Sequence, residues 1–150
     1  MTSLFSRLSL ALLAVIACGT IFLGGQPLAA EPAPVESDMH EFMEYVFEPA
    51  YKRLKAAMAE EPADKRGWKP IKGDSLALAE ACNLLFLRGP EEKREQWNAI
   101  SVAVRTQGAT LYQSAKKRDY AAARKSYEAM ITQCNKCHQV FADGEHQLEK

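Results

Sequence analysis

The chain has 150 residues, 19 of them basic and 19 acidic, which is room for one domain and leaves no net charge. No overall field gathers nucleic acid or an acidic membrane surface, so those partner classes are excluded on charge. The basic clusters "YKRLK" (Tyr51 to Lys55) and "KKR" (Lys116 to Arg118) read as solvated helix faces.

Residues 1–30 stand apart. Arg7 is their only charge, and an apolar run follows from Leu8 to Leu23, then Gly24, Gly25 and Pro27, then Ala29 and Ala30. A basic start, an apolar middle and a small-residue exit make a secretory signal, cleaved near Ala30–Glu31. The run of sixteen residues falls short of the ~20 that a spanning helix needs. "VIAC", Val15 to Cys18, looks like a bacterial lipoprotein box, which would tie the chain to a membrane if Cys18 were lipidated. The apolar residues after Cys18 argue against that. The expected mature chain, 31–150, has formal charge −1 and is read as exported, in the periplasm.

In chain order, "EPAPVE" is an extended lead-in. Ser37 or Asp38, the latter paired with Glu41, offers a helix start. Phe42, Met43, Val46, Ala50, Leu54, Ala57 and Met58 follow at helical spacing, predicting a first helix over 38–59, bent at Pro49. Pro and Gly content makes 60–73 a loop. A second helix is expected over 75–88, capped by Asp74 or Ser75, apolar nearly all round and therefore buried on more than one side or paired with another copy. Gly89-Pro90 ends it. A third helix, 91–117, starts on Glu91 and Glu92 and carries Trp97, Ile100, Val104, Gly108, Leu111 and Ala115. Asp119 caps a fourth, running to about Phe141, with the stripe Ala123, Tyr127, Met130, Ile131, Cys134, Cys137, His138 and Phe141. No segment alternates as a strand does. Short second and third connections then give an all-α, antiparallel four-helix bundle. Trp68 and Trp97 are expected as packing anchors.

The mature chain keeps three cysteines, Cys82, Cys134 and Cys137. An odd number argues against a plain disulfide framework. Cys82, inside "ALAEACNLLFL", reads as a small buried hydrophobe. The other two belong to "CNKCHQVF". On a helix Cys134, Cys137 and His138 share one face, while Asn135 and Lys136 are expected to point to solvent. Cys-x-x-Cys-His is the attachment signature of a c-type haem: the two thiols add across the porphyrin vinyl groups, and the imidazole becomes the proximal iron ligand. A thioredoxin-like pair would need a strand–helix junction. Zinc would need a fourth ligand, with only His146 near. A structural disulfide would explain neither His138 nor the apolar stripe.

With its motif near the end of a fourth helix, the stretch from about 37 to 142 resembles the class II c-type cytochromes, the cytochrome c-prime family. The resemblance implies an exported four-helix bundle with one covalent haem c, and often a homodimer through the first two helices. The family's motif helix often continues with basic residues; here "ADGEHQLEK" follows, a departure that puts propionate partners from that stretch in doubt. Arg53, Lys69, Lys72 and Arg124 remain as cations for the propionates, with nothing in the sequence to choose among them.

The family divides by what faces the iron opposite the histidine. A methionine from the first helix makes an electron carrier; an apolar face leaves five-coordinate iron that binds NO or CO. In "SDMHEFMEYVF" the methionine on the apolar stripe is Met43, which is expected as the distal ligand. Met39 and His40 lie one turn earlier, His40 on the polar side, and Phe42 or Phe47 would wall off an open site. Tyr127, Met130, Ile131 and Phe141 are expected to pack on the ring. The function read from these residues is a monohaem electron carrier serving redox partner proteins, with gas binding as the alternative. No catalytic cluster suggests an enzyme.

Overall fold

The computed structural model describes residues 31–150; the expected signal segment and Cys18 lie outside the described residues. Among the described residues the chain is all-helical, with no strand. A first arm comprises α1 (Met39–Phe42), a π-helical segment (Met43–Phe47) and α2 (Glu48–Ala57). Three longer helices follow: α3 (Trp68–Leu85), α4 (Arg94–Lys117) and α5 (Tyr120–Phe141). Each rod packs on the next in chain order, and α4, with 24 residues, spans ~36 Å.

The first arm starts as expected: the Asp38 carboxylate accepts the Glu41 N–H at 2.9 Å, a side-chain cap. Pro49 then forces a choice. Having no N–H, it cannot bond one turn back, and its ring crowds that turn. The chain answers with a wider turn immediately upstream, in which the Glu48 N–H reaches back five residues to the Met43 carbonyl. The expected bend is therefore a π segment. Each step of four residues overshoots a 3.6-residue turn; the wide turn absorbs the drift and keeps Met39, Met43, Phe47 and Tyr51 on one face. Val46, expected on the apolar stripe, is 39% exposed as a result.

The second helix begins seven residues before the predicted 75, so Asp74 and Ser75, expected as caps, lie buried inside it. Pro70 and Gly73 suggested a loop, but Pro70 occupies the third helical position, where an N–H would have no intrahelical acceptor. Buried Trp68 and Ile71 pull this turn into the core. The connecting loop is closed by Asp64, whose carboxylate accepts the N–H groups of Arg66 (2.7 Å) and Gly67 (3.0 Å). The third helix begins at Arg94 rather than 91, after Lys93 takes a left-handed φ of 58°. Gly89 must be glycine, since a Cβ there would lie 2.5 Å from Trp97 Cδ1. Asp119 caps α5 by accepting the Ala122 N–H at 3.0 Å.

The core runs through Leu54, Met58, Trp68, Ile71, Cys82, Trp97, Leu111, Tyr127 and Ile131. The two tryptophans are anchors, as expected: both are buried, and the Trp97 indole donates to the Leu85 carbonyl at 2.8 Å. Cys82 is fully buried.

Around the bundle, α2 packs on α3, α3 on α4, and α4 on α5. The fourth seam differs. No Cα of the first arm comes within 8 Å of a Cα of α5. At one end this seam is pinned by the Met58 carbonyl, which accepts from the Tyr120 hydroxyl (2.9 Å) and from Arg124 Nη1 (3.0 Å). Towards the other end a cavity opens between the two rods.

Candidate functional site

The gap in that seam is a cavity of about 620 Å³, within the ~300–1,000 Å³ typical of cofactor and small-molecule sites. One wall is α5, where positions i, i+3, i+4 and i+7 bring Cys134, Cys137, His138 and Phe141 to the cavity together. The facing wall is the first arm, through Met39, His40, Met43, Phe47 and Tyr51. Leu78 and Leu85 of α3, Trp97, Ile100 and Val104 of α4, and Met130 and Ile131 of α5 complete an apolar lining. The Phe141 ring stands edge-on to Trp97, centroids 5.0 Å apart.

The polar groups have distinct states. The two thiols are free. Burial pushes Cys134 up to about 12 and Cys137 to about 11. Both are therefore neutral at ordinary pH, unlike the low-pKa thiolate of a disulfide exchanger. Burial also lowers the His138 pKa, favouring the neutral imidazole that a metal requires. The His138 Nδ1–H donates to the His146 carbonyl at 2.8 Å. A carbonyl only accepts, so the proton sits on Nδ1 and Nε2 keeps its lone pair. His40 is exposed, as expected, and lies 3.7 Å from Glu44 at the cavity mouth.

Of the residues singled out in the sequence, Cys134, Cys137, His138, Phe141, Met130, Ile131 and Met43 all line this one space. Tyr127 does not; it is fully buried in the core, its hydroxyl 3.4 Å from the Glu149 carbonyl. Phe42 is likewise core rather than cavity wall, with the Arg88 guanidinium 3.8 Å above its ring. Two of the four candidate cations are engaged elsewhere: Arg53 pairs with Asp74 at 2.6 Å and Arg124 with Glu128 at 2.8 Å. Lys69 and Lys72 do not reach the cavity lining.

Sequence reasoning missed the chain after Phe141. His146 and Leu148 line the cavity, and Asn135, expected to face solvent, is half-buried and bonded to this tail. Leu148, the lone large apolar residue after Phe141, was the available signal.

Comparison with protein-family models, curated proteins and solved structures finds no match to this chain. Among the described residues, no group of three or more His, Cys, Asp or Glu side chains is disposed to hold a metal ion.

Proposed function

We propose that this chain is an exported monohaem c-type cytochrome of the four-helix, cytochrome c-prime kind, an electron carrier rather than an enzyme. The observation that carries the reading is that Cys134, Cys137 and His138 line one wall of a single apolar cavity while Met43 lines the facing wall. Two neutral thiols and a neutral imidazole are the donor set that thioether attachment and proximal ligation need, and the cavity needs no protein-only metal cage.

When bound, the haem supplies a one-electron couple; the chain's residues set where and how easily it works. Cys134 and Cys137 would fix the ring to α5, His138 Nε2 would hold the iron from that side, and the Met43 sulfur from the first arm. Methionine in the sixth position raises the potential, and the apolar walls of α3 and α4 limit water around the site, which tunes it further. Redox partner proteins would approach at the open seam. Apolar side chains left exposed at Val46, Leu76, Leu84 and Leu87 support pairing of two copies through the first arm and α3.

The mature protein should keep its colour after denaturation and acid–acetone extraction; an extractable or absent pigment overturns the reading. Oxidised protein should be low-spin with the weak long-wavelength band of methionine ligation. Met43→Leu should abolish that band and open the reduced iron to CO. A wild-type protein already high-spin and quick to bind CO would instead make this a five-coordinate gas-binding protein.

A further inference from the structure

The chain does not end with α5. Asp143, Gly144 and His146 take positive φ values of 50°, 80° and 56°, and the Gly144 N–H donates to the His138 carbonyl at 3.0 Å. These turns reverse the backbone, so that the last residues run back along α5. Side chains from both walls of the seam hold the returning segment. Asn135 donates to the Leu148 carbonyl (2.9 Å) and accepts the Leu148 N–H (2.7 Å). From the first arm, the Tyr51 hydroxyl donates to the Glu149 carbonyl and accepts the Glu149 N–H, each at 3.0 Å, while Lys55 pairs with the Glu149 carboxylate. Leu148 packs against the core. The result of this fastening is that the His146 carbonyl stands 2.8 Å from His138 Nδ1.

We propose that residues 145–150 form a strap whose role is to position the ligating imidazole. Through the His146 carbonyl it fixes the His138 tautomer and ring orientation, leaves Nε2 as the coordinating nitrogen, and strengthens its donation to the metal. An acceptor on the far nitrogen of a metal-bound histidine does both. The acceptor here is main chain, so the fastening residues Asn135 and Tyr51 carry the specificity, and the identity of residue 146 matters little. The strap also joins the two walls where their backbones stand apart. The metal-directed part of this inference rests on the haem reading.

The test uses mature, haem-bearing protein in three forms: wild type, a chain ending at Gly144, and Asn135→Ala, which removes two strap bonds. Two quantities are read: the midpoint potential, and solvent exchange of the His138 Nδ1–H in the reduced protein by NMR. Losing the acceptor should raise the potential and speed exchange, by about tenfold for a bond of ordinary strength, with the truncation exceeding Asn135→Ala. Should the truncated chain fail to fold, Asn135→Ala decides alone. Variants that keep covalent haem with unchanged potential and unchanged exchange overturn the strap's role. A mature wild type lacking covalent haem overturns the haem reading and takes this inference with it.

Discussion

The two ends of the seam between the first arm and α5 are built on opposite terms. At one end Leu54, Met58, Ala123 and Tyr127 are completely buried, and a single carbonyl takes two donors across the gap. At the other, the facing side chains are half-buried, a cavity lies between them, and a polar strap crosses the seam. The cavity there is lined mainly by apolar side chains and is the space that the proposed haem would fill. The closed end is where the chain packs on itself; the open end is where it makes room for chemistry. The closed end holds the bundle so that the open end does not have to.

That contrast can be broken by experiment. Leu54→Ala, at the closed end, should lower the unfolding free energy by about 2–5 kcal/mol, towards the upper part of that range because its surroundings are filled. With both variants measured free of haem, Leu78→Ala, whose side chain borders the cavity, should fall towards the lower part. Equal losses in urea titrations of the two variants would mean that the ends do not differ energetically.

A second effect is alkaline. Burial raises the Cys82 thiol from 9.0 to about 12, so the folded state binds its proton more tightly than the unfolded state. Above pH 9 the unfolded chain gives up that proton first. Stability is then fully present below about pH 9 and is lost as pH rises towards about 12. Cys82→Ala should flatten this part of the stability–pH curve; an unchanged slope would sink the assignment.

Smallest is Tyr120→Phe, which removes one donor from the Met58 carbonyl. The cost should be about 0.5–1.5 kcal/mol and near the low end, because Arg124 still donates there. A loss as large as that of Leu54→Ala would make the pin, not the packing, the source of strength at the closed end.

The parts legible in the sequence are those governed by local rules. Asp119 caps its helix as expected, Asp38 does so as one of two candidates, and the three-and-four spacing put Cys134, Cys137, His138 and Phe141 on one face. Residues were misread where a local rule met tertiary context. Pro70 breaks a helix interior but not a first turn, so the start of α3 was hidden. Pro49 signalled a bend, yet whether the backbone kinks or widens depends on what the flanking turns must face. Tyr127 shares a stripe with the thiols and still packs elsewhere, because α5 touches α4 along its length and opens to the cavity only over its later turns. The strap was least visible of all, since its contacts are main-chain groups that composition does not report.

The wide turn ahead of Pro49 also makes the chain sensitive to its own length at that point. Successive residues of a helix are set about 100° apart. If the π segment tightened to ordinary helix with every residue kept, everything upstream would swivel by about that angle, and Met39 and Met43 would leave the cavity wall. Deleting one residue between Met43 and Glu48 would instead leave both on the wall, because the Glu48 N–H would still reach the Met43 carbonyl, now as an ordinary four-residue step. The width of one turn, and not only the identity of its residues, therefore decides which sulfur faces the thiols of α5.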